Sequence, residues 1–240
     1  MVRIAILVDG AFYLRRAHYL WGEKSPKNRA IELMQYCRRH YVNKRTKRDR
    51  YYEEKCLYRI FYYDCLPSAK KVYHPLLKQQ KDLAKTEQYK WSMEFFDELK
   101  SKRKVAFRKG ELLESSMGYT IKPDIVKKLC NGKLSFSDLT ESDFKLDIQQ
   151  KGVDMKIGLD ISSLAYKKQV DRIVLIAGDS DFVPAAKHAR REGIDFILDP
   201  MWHTIKPSLF EHIDGLETKV CRPDSPKLKE DSLYAKKSED

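Results

Sequence analysis

The sequence predicts an α/β fold, a mainly parallel sheet with helices on both faces, and three observations predict it. Short apolar runs rich in β-branched or aromatic residues recur at "RIAILV", "CLYRIFYY", "RIVLIA" and "IDFIL". Such runs suit strands covered on both faces better than half-exposed ones. Amphipathic stretches of helical period separate them, and strands alternating with helices imply a parallel sheet. No linker-like stretch breaks the pattern before residue 222, so one domain is expected over 1–222 and a polar tail over 223–240.

Taken in order, "VRIAILVDG" is a buried strand closed by Asp9-Gly10, and "AFYLRRAHYLW" is a helix. A second helix is expected from Asn28 to about Lys47, basic towards its end. "CLYRIFYYDCLP" is another buried strand; Asp64 reads as a plain loop residue, because Pro67 marks a turn. From Tyr73 to about Lys100 no Pro or Gly follows Pro75. Leu76, Leu83, Trp91, Phe95, Phe96 and Leu99 fit one or two amphipathic helices there. "KRKVAFRKGEL" is a basic strand, "MGYTIKP" its hairpin partner or a loop excursion, and "NGKLSFSDLTESDF" is turn-rich. Residues 66–150 thus read as a basic, helical, insertion-like region. Val153, Ile157, Ile161, Leu164 and Ala165 recur at helical spacing, with Asp154 in the first turn. "VDRIVLIAGDSD" is a strand, "DFVPAAKHARREG" a helix with Pro184 near its start and Gly193 as its stop, and "IDFILDP" a strand. A short helix and a last strand near "LETKVC" complete the pattern.

The chain has 240 residues, 42% hydrophobic and 34% charged, and a formal net charge of +12. A surplus of Lys and Arg on that scale points to a polyanionic partner, nucleic acid first and an anionic membrane surface second, against a merely solvated basic surface. The five cysteines form no CxxC pair. Together with a start unlike a signal peptide, this gives the expectation of reduced thiols in the cytoplasm. The histidines show neither HxH nor HExxH spacing, which argues against the usual zinc sites. No apolar run has the length of a membrane span.

In a parallel α/β sheet, ligands bind beyond the carboxyl ends of the strands. Two strands here end in aspartate, one giving Asp9 and the other Asp179 and Asp181. If those strands are neighbours the acids meet, and Asp154 can join them from its helix. Like charges brought that close repel, and oxygen-preferring Mg²⁺ or Mn²⁺ would neutralise them. Each acid also has a plainer role. Asp9 suits a turn or cap, Asp179 or Ser180 a helix cap, and Asp154 the positive end of a helix dipole. Asp160 lies about 240° further round the helix than Asp154, which makes it an outer, supporting residue. Asp199 also ends a strand, at the expected sheet edge. There is no GxxxxGK[ST], no GxGxxG after a strand and no GxSxG elbow, so P-loop, dinucleotide and α/β-hydrolase chemistries are not indicated. Gly10 and Ala11 after Asp9 argue against an aspartyl-nucleophile phosphatase, which usually carries a second acid two residues on.

"AILVDGAFYLRR", "KGVDMKIGLDISSLA" and "RIVLIAGDSDFVPAAKHARREGIDFIL" together resemble the NYN domain family, in particular its LabA-like bacterial branch within the PIN-like nucleases. The three motifs agree in order and spacing and frame residues 2 to about 200; residues 66–150 match loosely. The resemblance implies a PIN-like three-layer α/β/α sandwich and a metal-dependent ribonuclease site. By position Asp9, Asp154, Asp179 and Asp181 are its catalytic, metal-holding acids. Ser180 contacts a water or phosphate, and Asp160 matches a further helix acid. One departure stands out. Many members carry Asn two residues after the Asp-Gly of the first motif, and this chain has Phe12.

RNA, as a single strand, is the expected partner, with no membrane association and with a homodimer as a possible assembly. Cations cluster around Arg38, Arg39, Arg45 and Arg48, interleaved with tyrosines, and around Lys102, Arg103 and Lys104. Cations beside aromatics suit phosphate contacts and base stacking, though a solvated helix face explains each cluster equally well. Lys151, just before Gly152 and Asp154, is placed to hold a phosphate near the acids. The expected activity is an endoribonuclease in which a water activated by Mg²⁺ or Mn²⁺ attacks the phosphodiester. The alternatives are a non-catalytic RNA-binding or regulatory module and, more distantly, a phosphatase or phosphotransfer enzyme with an acidic site.

Overall fold

A computed structural model describes residues 2–42 and 55–221 of the chain. A seven-stranded sheet forms its middle layer, in the order β11-β10-β9-β1-β2-β5-β8. These strands are β1 (Ile4–Asp9), β2 (Leu57–Cys65), β5 (Val105–Leu112), β8 (Gln150–Lys151), β9 (Arg172–Ile176), β10 (Asp195–Asp199) and β11 (Gly215–Leu216). All pairings are parallel except that of β8 with β5. Helices cover both faces, so the α/β/α sandwich is the observed architecture.

Strand alternation divides the core. On β1, Ala5 and Leu7 point to one face, where α5 (Val153–Tyr166) and α6 (Val183–Arg191) bury Ile157, Ile161 and Ala186. Ile4, Ile6 and Val8 point to the other, against α1 (Gly10–Trp21), α2 (Pro26–Arg38) and α3 (Glu87–Lys100). Burial on both sides explains why β1, β9 and β10 read as continuous apolar runs.

Local chemistry sets the helix starts. Asp9 accepts from the Phe12 amide and Ser25 from the Asn28 amide, with Pro26 following, and Thr86 caps α3 through the Tyr89 amide. Gly193 ends α6 at a φ of +80°, a conformation glycine adopts without strain.

Three expectations change. The second helix ends at Arg38, and residues 43–47 of its expected span lie outside the described residues. The helical reading holds for 87–100 and fails before it. There β3 (Lys71–His74) and β4 (Gln79–Asp82) form an antiparallel hairpin, with Lys78 supplying a positive φ at the turn. "MGYTIKP" pairs with neither β5 nor open loop. It is β6 (Gly118–Ile121), antiparallel to β7 (Phe144–Asp147), with α4 (Pro123–Cys130) between them.

Residues 66–150 are therefore not one insertion. Helix α3 and strand β5 belong to the main layers, while the two hairpins form a small lobe joined to the carboxyl ends of β2 and β5. His74 is its core, buried between Tyr119 at 4.4 Å and Phe144 at 5.1 Å. The expected tail over 223–240 lies outside the described residues.

Candidate active site

Strands β1 and β9 are parallel neighbours, with Val8 opposite Ile176, so the residues that follow emerge side by side at one sheet edge. Asp9 Oδ1 accepts from the Phe12 amide at 3.1 Å and caps α1. Asp179 Oδ1 accepts from the Asp181 amide at 3.1 Å and caps the 3-10 turn Ser180–Phe182. The capping roles are real, and they coexist with a cluster. Burial pushes the Asp9 carboxyl above its usual range and the charge of Asp154 pushes it further, against the Phe12 amide and the Arg15 guanidinium. Asp154, more open to water, is also raised, first by its partial burial and then by Asp179 and Asp181. Asp154 is thus the link, raising Asp9 and itself raised by Asp179 and Asp181. α5 brings Asp154 to them in its first turn, after Gly152 at a φ of +80°.

A fifth carboxylate stands with them. Asp64 is not a loop residue. It is the penultimate residue of β2, only 6% exposed, one step beyond the Tyr63 that pairs with Asp9. Its Oδ1 accepts from the Cys65 amide at 2.8 Å, and the Tyr62 hydroxyl donates to Oδ2 at 3.4 Å. Burial, with a smaller contribution from Asp9, pushes its pKa up to about 6. Gly10 is required beside it, since a Cβ there would lie 2.6 Å from Asp64 Oδ2 and from Tyr62 Cζ. The signal was in the sequence: "YYDC" ends a buried strand in acid as "LVDG" does, and the proline three residues on obscured it.

Other expected residues are distributed unevenly. Ser180 sits at the edge and accepts from Lys206 Nζ at 3.1 Å. Asp160 faces away from the four acids, taking the Tyr63 hydroxyl at 2.8 Å and Arg108 Nε at 2.9 Å, which fastens α5 to β2 and β5. Lys151 is exposed on β8, paired with Glu111. Asp199 is fully buried in a network with Tyr36, His40 at 2.8 Å and the Met201 amide at 2.8 Å.

Lys102, Arg103 and Lys104 precede β5. Because Lys109 is the residue level with Asp64, these three lie at the opposite edge of the sheet from the acids. There Lys102 pairs with Glu98 at 2.9 Å and Lys104 Nζ donates to the Leu57 carbonyl. Arg39 donates to the Lys219 carbonyl at 3.1 Å, and Arg38 closes α2. Arg45 and Arg48 lie outside the described residues. Sequence reasoning missed the cations that do reach the site: Arg15, through its pull on Asp9, and Lys206.

Phe12 takes a definite position. It is 6% exposed and its ring meets His203 edge-on at 5.9 Å. A Cβ on Gly178 would come within 2.5 Å of it. The position where an Asn was expected is thus a hydrophobic wedge between the ends of β1 and β9.

The donor set suits a hard cation. It is all oxygen, and no ion pair among the described residues joins Asp9, Asp64, Asp154, Asp179 or Asp181 to Lys or Arg, despite the chain's net charge of +12. Among the described residues, no three His, Cys, Asp or Glu side chains stand close enough to enclose an ion by themselves. Mg²⁺ does not need such a shell, because it keeps several waters and takes one or two carboxylates directly. The described acids form no dedicated cage, and an ion at this edge would have to keep most of its water.

The family model of the NYN domain matches residues 94–205, a span that contains Asp154, Asp179 and Asp181 and lies downstream of Asp9 and Asp64. The match supports the NYN family. No curated protein matches the chain. Among solved structures the chain is similar to a protein of unknown function from Vibrio parahaemolyticus, at 14% identity and a TM-score of 0.42, over 91% of this chain and 93% of that one. No helix among the described residues is long and apolar enough to cross a membrane.

Proposed function

We propose that this chain is a metal-dependent endoribonuclease of the LabA-like branch of the NYN domains, acting on RNA in the cytoplasm. NYN domains are nuclease-type domains, and the match over 94–205 supports that class. The observation that carries the reading is that Asp154 shares charge with Asp9 on one side and with Asp179 and Asp181 on the other at the carboxyl edge of the sheet, with no direct ion pair to these acids among the described residues. Caps alone do not need to converge.

Asp9, Asp154, Asp179 and Asp181 are the residues that would hold Mg²⁺ or Mn²⁺, with Asp64 behind Asp9. A divalent ion bound there supplies a water of lowered pKa and offsets the charge that develops on the phosphodiester. The chain itself contributes orientation. The two caps hold Asp9 and Asp179 in fixed rotamers, Gly10 lets α1 start in contact with Asp64, and Arg15 and Lys206 supply positive charge at the rim for a phosphate.

The test is cleavage of a labelled mixed-sequence RNA with Mg²⁺ or Mn²⁺, with and without EDTA, by wild type and Asp179→Asn. Metal-dependent cutting lost in a folded mutant is expected. Equal cutting by that mutant would sink the assignment.

Phe12 favours one second reading, a non-catalytic RNA-binding module, because its ring brings no polar atom to the site. A folded wild type that binds RNA and never cuts it would select that reading.

A further inference from the structure

The segment after β10 is built in a way that the fold does not require. Residues Pro200 to His203 form a tight turn, closed by the His203 amide donating to the Pro200 carbonyl at 2.7 Å. Both central residues have positive φ, 46° at Met201 and 61° at Trp202. That is the pattern of a type I′ turn, which Asn and Gly adopt readily and long side chains do not. Two adjacent strained residues persist only where their surroundings over-determine them.

Here the surroundings do. Asp199 Oδ1 accepts from the Met201 amide at 2.8 Å. Arg16 donates to the Met201 carbonyl from Nε at 3.0 Å and from Nη2 at 2.7 Å. The Trp202 indole donates to the Val220 carbonyl at 2.8 Å, and Met201 itself is fully buried. The turn is therefore bolted to α1, to β10 and to the segment after β11.

Two side chains just beyond the turn reach the carboxylate edge. The exposed His203 rests its ring against Phe12 and beside Gly178, whose added Cβ would come within 2.9 Å of His203 Cδ2. Lys206 donates to Ser180 Oγ, the hydroxyl between Asp179 and Asp181. Among the described residues no ion pair ties Lys206 to either aspartate. A neutral hydroxyl, and not a carboxylate, is the group that positions the cation. Phe12 then has a use as well, since its wedge supports the imidazole from beneath.

We propose that this turn is a clamp for a single-stranded polynucleotide: Lys206 is a positioning residue that holds a phosphate beside the acidic edge, and the His203 ring stacks with a neighbouring base. The proposal deepens the ribonuclease reading and rests on it for the substrate class, but binding tests it without cleavage.

The experiment is fluorescence anisotropy of a labelled single-stranded RNA with the full chain, in EDTA, over a series of salt concentrations. The variants are Lys206→Ala, Lys206→Arg, His203→Ala, His203→Phe and, as a control for lost charge, Lys27→Ala on α2. Losing one phosphate contact to a single strand should flatten the log–log salt dependence by about 0.7, and Lys206→Arg should restore it. Lys206→Ala should also weaken binding by roughly fivefold to tenfold at low salt, as expected for one charged contact. His203→Ala should weaken binding about fivefold or more, the range for one lost base stack. His203→Phe should recover most of that loss.

The clamp is overturned if Lys206→Ala keeps the wild-type salt slope, if it loses no more affinity than Lys27→Ala, or if the wild type does not bind RNA. Binding that depends on Lys206 with no cutting in Mg²⁺ or Mn²⁺ would reject the nuclease reading and leave the clamp standing. Cutting by the wild type, with KM and affinity unchanged in Lys206→Ala, would do the reverse.

Discussion

Replacing Asp64 by Asn should stabilise the protein at neutral and alkaline pH, and only there. Asp64 is 6% exposed, and its usual pKa of 3.8 is pushed up to about 6, first by burial and then by Asp9. The amide keeps the shape of the side chain and can still accept from the Cys65 amide. At about 1.4 kcal/mol for each tenfold change in proton affinity, ionising Asp64 in the folded state costs roughly 2–3 kcal/mol.

The sign follows from proton linkage. Between its ordinary pKa and about 6, the folded chain holds a proton that the unfolded chain has released. Stability is therefore fullest below the ordinary value and is lost as pH rises through about 6. Asparagine has no such loss. Thermal unfolding in EDTA should show wild type and Asp64→Asn close together near pH 4. By pH 8 the mutant should melt higher by roughly 5–10 °C, at about 2–4 °C per kcal/mol for a chain of this size. Adding Mg²⁺ or Mn²⁺ at pH 8 should raise the melting temperature of both proteins, since Asp64→Asn keeps the four acids that would hold the ion. A gap of the same size at pH 4.5 and pH 8, or a mutant less stable than wild type at pH 8, would refute the reasoning that Asp64 is held charged against a desolvation penalty.

Further outcomes follow from the same contacts. Asp9→Ala should lose both the α1 cap and the charge, destabilising the fold by about 1 kcal/mol. Asp9→Asn should keep the cap, melt no lower than wild type in the absence of metal, and still lose RNA cleavage; comparing their melting curves and cleavage rates separates the two roles. Phe12→Asn, although it installs the residue common in NYN domains, should destabilise by about 3–5 kcal/mol because it empties a buried ring position and buries an amide; urea unfolding measures it. Gly178→Ala should cost about 1–3 kcal/mol by driving a methyl into Phe12 and His203, and the same unfolding assay should show it.

Sequence patterns could single out candidate acids because each sits in a local pattern. A buried strand must end somewhere, and an aspartate followed by glycine, or by serine and a second aspartate, is legible at that end without knowledge of neighbours. That gave Asp9, Asp154, Asp179 and Asp181 and the strands and helices that carry them. Asp64 is not legible as a strand residue because Pro67 signals a turn, whereas pairing with β1 and β5 carries β2 on to Cys65. The β3–β4 hairpin is not legible either, because the apolar spacing after Tyr73 is too short to distinguish the two periods.

What the sequence by itself determined is the alternation of buried strands and amphipathic helices, and the placing of carboxylates at strand ends. Both depend on residues close together in the chain. Only the tertiary structure decided which groups share an edge. Strand order puts Asp64 beside Asp9 and puts Lys102, Arg103 and Lys104 at the other end of the sheet. Asp160 went to Tyr63 and Arg108 because its position on α5 faces β2 and β5. Lys206 reaches Ser180 only because Asp199, Arg16 and Val220, distant in sequence, hold Met201 and Trp202 in a turn that their side chains would not choose alone. Charge coupling and strain compensation are properties of distance in space, and one chain read from end to end contains no distances.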